Sequence, residues 1–233
     1  MKITKILFTG IIMIFITSCQ QQKDSTPLKS NVNTKDIKSK NDKIVFNNLD
    51  MILSPFEDMT EFALEKNESG ILRSWNKVEE SKTKGYFDKN MSAEENKLLN
   101  SKIENLKELI RNKNYSQIAI ASTEIFEFNI NNFSDANLIE NQIRIEHLDY
   151  MGFKILALLD QDEIDWSNIQ QTINKTQKIW LELSSEVDDT NLKDSFNYLF
   201  KGLLVSTKNK DLKMCEILAN IDLTMVDVLE NTF

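Results

Sequence analysis

The chain has 233 residues, and its 5 glycines and 2 prolines are too few for a sheet protein built on many tight turns. The formal charge of −8 is uneven, because residues 44–233 hold 33 acidic against 20 basic side chains while residues 20–43 hold six lysines against three aspartates. An acidic body repels phosphate backbones, so nucleic acid is not an expected partner, and a solvated surface accounts for the charge.

Lys2 and Lys5 open the chain, an apolar run of 12 residues extends from Ile6 to Thr17, and small Ser18 precedes Cys19. This is the three-part grammar of a cleaved export signal. The run is much shorter than the roughly 20 apolar residues that a membrane-spanning helix needs. Ile16, Thr17, Ser18 and Cys19 resemble the lipobox of a bacterial lipoprotein precursor, with Ile16 in place of the commoner leucine. The resemblance implies cleavage before Cys19, a diacylglyceryl group on its sulfur and usually a further acyl chain on its amine. Two or three chains hold a protein firmly on a bilayer. It also implies a cell-envelope location. Gln20 stands where lipoproteins kept at the inner membrane of many Gram-negative bacteria carry Asp, which favours the outer membrane, on its periplasmic face or at the cell surface.

Three segments are therefore expected: a signal peptide over 1–18, the lipidated cysteine with a disordered tether over 19–43, and an all-helical domain over 44–233. The tether is rich in Gln, Lys, Ser, Asn and Thr, which offer little apolar surface to offset ordering entropy.

Order is expected from near Ile44. Ser54, Pro55 and Glu57 form a helix start, with a capping hydroxyl, proline at the first position and a carboxylate facing the dipole. Phe56, Met59, Ala63, Ile71, Trp75 and Val78 continue that helix on regular spacing, with Gly70 as a weak point or close-packing site, and Gly85 marks a turn. Ser92 and Glu95 read as a capping box, followed by Leu99, Ile103, Leu106 and Ile110 on one stripe. Asn112–Asn114 breaks it, and Ile118, Ala121, Ile125 and Phe128 suggest the next helix. Residues 136–159 read as a long helix with Ile145, Leu148, Gly152, Ile155 and Leu159 on one face. Asp165 caps the next, carrying Ile169, Ile173, Trp180 and Leu183. Asp188–Thr190 separates it from Leu192, Phe196, Leu199 and Leu203, and after Lys208–Asp211 the last helix carries Leu212, Leu218, Ile221, Met225 and Val228.

Six to seven helices joined by short polar turns predict an antiparallel up-and-down bundle, with stacked helical hairpins as the alternative. Lys113–Asn114 and Lys208–Asn209 look alike, each before a helix, but two residues do not make a repeat.

His147 is the only histidine, so neither the paired histidines of a zincin helix nor those of a di-iron bundle can form. Met151 follows one turn later on the same face, and Met214 or Met225 can approach from another helix. One imidazole with a thioether is a possible haem or copper ligand set. The plain reading of His147, among Arg144, Glu146, Asp149 and Tyr150, is a surface or boundary residue. Asp160, Asp162 and Asp165 fail a calcium loop at the fifth, sixth and twelfth positions, where Ile164, Asp165 and Gln171 stand. With Cys19 lipidated, Cys215 has no partner in the chain and reads as a small buried hydrophobe. No catalytic motif, phosphate loop or resident cofactor is indicated. The expected function is a membrane-anchored, non-enzymatic binding or scaffold module that meets another envelope protein or a small ligand. The alternatives are the cofactor-binding bundle centred on His147 and a surface-exposed ligand-binding lipoprotein.

Overall fold

A lysine in the left-handed region followed by an Asn or Asp cap recurs at three turns and sets the architecture. Lys66, Lys113 and Lys210 have φ of 54°, 53° and 54°. Asn67, Asn114 and Asp211 follow them, and their side chains accept the backbone N–H of Gly70, Gln117 and Met214. The lysine closes one helix, the cap opens the next, and the chain reverses.

The computed structural model describes residues 34–233, with side chains from residue 41 onward. Cys19, the export signal and most of the expected tether lie outside the described residues. Among those described, the chain is all-α, with nine helices and no strand. The first five are α1 (Thr34–Leu64), α2 (Glu68–Thr83), α3 (Tyr86–Asn90), α4 (Ala93–Arg111) and α5 (Tyr115–Asn132). A 3₁₀ turn (Ala136–Leu138) leads to α6 (Glu140–Leu159), α7 (Trp166–Leu183), α8 (Thr190–Lys208) and α9 (Leu212–Glu230). It is a helical bundle assembled from hairpins: α1–α2, α4–α5, α6–α7 and α8–α9.

The helix expected over residues 54–78 is two helices. α1 begins at Thr34, twenty residues before Ser54 and ahead of the expected boundary at Ile44, and it ends at Leu64. Pro55 lies inside it rather than at its first position. Proline has no N–H for the carbonyl four residues back, and that carbonyl, on Met51, instead accepts the hydroxyl of Ser81 on α2 at 2.9 Å. Gly70, in the first turn of α2, is a close-packing site: a Cβ there would lie 2.3 Å from the Phe62 ring.

Two apolar cores result. Leu49, Leu53, Phe56, Leu99, Ile103 and Ile125 belong to the first, around α1–α5, and Leu148, Ile155, Trp180, Phe196 and Phe200 belong to the second, around α6–α9. The halves are built alike. One constant sequence offset carries Ser92, Ala93 and Arg111 of the first half onto Asp189, Thr190 and Lys208 of the second, which are the same cap and the same helix ends. It also carries Asn112, Lys113 and Asn114 onto Asn209, Lys210 and Asp211, and Tyr115 onto Leu212. Buried Leu99, Ile103, Leu106 and Ile118 map onto buried Phe196, Phe200, Leu203 and Cys215. The first hairpins correspond as well, with α1 against α2 and α5 matched by α6 against α7 and α9. The bundle is thus a duplicated set of four long helices.

Candidate functional site

The corresponding helices α1 and α6 approach each other next to α9, and the groove between the three is a cleft of about 770 Å³. Each helix supplies one stripe at steps of three, four or seven residues, the spacing of a single helical face. α1 contributes Phe46, Asp50, Glu57, Glu61 and Leu64, with Glu65 just beyond its end. From α6 come Glu146, Asp149, Phe153 and Leu156. Asn220, Leu223, Asp227 and Glu230 of α9 close the third side. Among the described residues the lining holds eight carboxylates and no lysine or arginine.

Burial raises the innermost carboxyls well above their usual range, and their neighbours add to it. Glu57 is raised by burial and then by Asp149 and Asp50, Glu146 by burial and then by Glu57 and Glu230, and Asp149 by burial and then by Glu146 and Asp222. Desolvation and like charge both disfavour the ionised form. Glu146 is only 7% exposed and has no hydrogen-bond or ion-pair partner among the described residues. It also lines a second cavity of about 410 Å³ that shares Phe46, Glu146 and Glu230 with the first, so the groove continues past it towards Asp42 and Lys43.

Asp222 on α9 is fully buried beside Gly152, and its two oxygens lack a hydrogen-bond partner of good geometry. Burial holds its proton far above the ordinary range, with the Gly152 amide opposing. Gly152 permits the approach of α6 to α9, since a Cβ there would meet Leu223 Cδ2 at 2.5 Å.

A neighbouring face of α6 is paired. Tyr150 donates to Glu127 of α5 at 2.9 Å, Lys175 of α7 bridges to the same carboxylate, and Lys154 approaches Glu124 at 3.9 Å. The sequence-derived candidate His147 is buried, further in than a surface position, and its pKa falls to about 4 through burial and then through Lys175, with Glu127 opposing. It is a neutral imidazole at physiological pH. Met151 is fully buried in the second core, Met225 packs against that core, and Met214 is 45% exposed on α9. Among the described residues no three His, Cys, Asp or Glu side chains are grouped to hold one metal ion. Asp165 caps α7 through the N–H of Asn168, and Asp160 accepts from Ser116. Cys215 is buried and donates to Ser206 Oγ at 3.1 Å.

Sequence reasoning recorded the acidic body but assigned its charge to solvated surface, and so missed the cleft. The available signal was local: Glu146 and Asp149 flank Leu148 in a largely apolar helix, and Asp222 interrupts the apolar positions of α9.

Fold and site together define an all-helical protein, made of two like halves, with a carboxylate-lined cleft where they meet. The chain matches no family model, no characterised protein and no solved structure.

Proposed function

We propose that this chain is a lipid-anchored binding protein of the cell envelope whose ligand is a cation held in the cleft of α1, α6 and α9. Glu146 carries this reading, as a largely buried carboxylate with no partner among the described residues, in a lining to which those residues add seven more carboxylates and no base. Buried charge without a counter-charge is costly, and a bound cation supplies the counter-charge. The Lys2 to Cys19 segment supports the anchor. Thermal unfolding at pH 7.5 with a set of organic and inorganic cations tests the binding: a cation that raises the midpoint of the native chain and not that of Glu146→Gln supports it, and no such cation refutes it. Mass spectrometry of the mature protein tests the anchor, which requires a diacylglyceryl group at Cys19.

A second reading, docking of an amphipathic helix from an envelope partner, is favoured by one row on α9. Met214, Ile217 and Ile221 are exposed, whereas the corresponding Gln117, Ile120 and Glu124 of α5 are met by α6 or by Gln161 just past its end. A photocrosslinker at Ile221 tests it, since a single crosslinked helical peptide supports docking and none refutes it.

A further inference from the structure

We propose that the ligand of the cleft is a linear aliphatic polyamine with three or four amines, lying along α1 with its ammonium groups at the carboxylates and its methylenes on the apolar side chains between them. This rests on the cation reading above and adds the class of cation.

The distribution of charge selects against a single small ion. A divalent metal needs several oxygens converging on one point, whereas the carboxylates here run in a row and no three are grouped for one ion among the described residues. Along α1 the stretch from Asp50 to Glu61 covers about 16 Å at 1.5 Å per residue. Glu57 and Glu61 are one turn apart, about 6 Å along the axis, which is comparable to the spacing of amines across three or four methylenes. Glu146, Asp149 and Glu230 face that row from α6 and α9.

Apolar walls favour a ligand with greasy links between its charges. Phe46, Phe153, Leu156 and Leu223 alternate with the acids, and an aromatic face also attracts an ammonium group. A basic peptide brings backbone amides that need partners of their own, and apart from the carboxylates the cleft offers them only Asn220 and Thr224. A cavity of this size belongs to the range of small-molecule sites. Lys43 lines the adjoining cavity, which therefore suits a cation less than the carboxylate-lined cleft does.

The test is calorimetric titration of the full-length chain, purified in detergent, with spermidine, magnesium and a short oligolysine peptide at fixed ionic strength. Spermidine is expected to bind, with magnesium and oligolysine at least about tenfold weaker. Loss of one buried charge-assisted contact in Glu146→Gln or Glu57→Gln is expected to weaken spermidine by about tenfold or more. Glu163→Gln, in the α6–α7 turn, is the control and is expected to leave affinity unchanged. Circular dichroism of each variant separates loss of the site from loss of the fold. If oligolysine or magnesium binds in a Glu146-dependent way and spermidine does not, the polyamine is wrong while the cation reading stands. Absence of binding by any of the three, or spermidine binding indifferent to both substitutions, overturns both.

Discussion

Asp222 on α9 occupies the position that Ile125 holds on α5, and both side chains are buried. The duplication makes the contrast informative, because the same place in the same four-helix arrangement carries an apolar side chain in one half and, in the other, an acid that lacks a hydrogen bond of good geometry. Replacing Asp222 by the residue of the other half is expected to stabilise the protein. A buried polar group without partners costs about 1–3 kcal/mol, so Asp222→Ile should raise the unfolding midpoint by several degrees at pH 7.5, as read by scanning calorimetry. An unchanged or lower midpoint would mean that the acid is satisfied in the folded protein.

The dependence of stability on pH follows from the same acids. Glu57, Glu146, Asp149 and Asp222 hold protons more tightly folded than unfolded. Above the ordinary carboxylate range near 4 the folded state therefore binds more protons, and stability declines as pH rises through the raised values. Urea unfolding midpoints are expected to fall as pH rises above the ordinary carboxylate range, and the fall should be smaller in Glu57→Gln with Glu146→Gln.

His147 acts in the opposite sense. Its folded pKa of about 4 lies below the usual 6.5, so between these values the unfolded state binds the extra proton and stability drops as pH falls. The effect amounts to up to roughly 3 kcal/mol at about 1.4 kcal/mol per unit. His147→Gln should therefore be less destabilised than the native chain on passing from pH 6.5 to pH 4.5, as measured by the same urea titration.

Pro55 and Ser81 should be energetically coupled. Ser81→Ala removes the hydroxyl that satisfies the Met51 carbonyl and is expected to cost about 1 kcal/mol. In a Pro55→Ala background the new backbone N–H reaches that carbonyl, so Ser81→Ala should cost measurably less. A double-mutant cycle without coupling would show that Met51 finds another partner.

The glycines differ in what they tolerate. Gly152→Ala forces Leu223 and Asp222 away from α6, with contacts at 2.5 and 3.1 Å, and is expected to destabilise by about 1–3 kcal/mol and to weaken cation binding. Gly202→Ala meets only the end of the Leu218 side chain at 3.1 Å, which can turn aside, and should change stability by less than about 1 kcal/mol.

The helices themselves were legible in the sequence wherever a cap and a stripe agreed. Ser92 and Glu95 form the capping box read from their spacing, and Leu99, Ile103 and Leu106 are buried on the stripe that follows. The break at Glu65–Asn67 was not legible, because apolar residues on both sides keep helical spacing across it and the left-handed lysine has no glycine to announce it. Pro55 misled for a related reason: the loss of its hydrogen bond is made good by Ser81, which is remote in sequence. The repeat escaped because it is preserved in caps and burial more than in residue identity. Matching Lys113–Asn114 to Lys208–Asn209 misses by two residues the pair that corresponds in space, Lys210–Asp211. The cleft draws on three helices far apart in the chain, so its acids look like ordinary surface charge until α1, α6 and α9 come together.

Glu146 has no partner among the described residues, and a bound cation is expected to supply one. Carbon-13 NMR of its labelled side-chain carboxyl, followed through a pH titration of the full-length chain with and without spermidine, measures this directly. A midpoint well above the ordinary carboxylate range in the free protein, with a clear downward shift when spermidine is present, is the expected result. An ordinary midpoint in the free protein, or one that spermidine does not move, would contradict it.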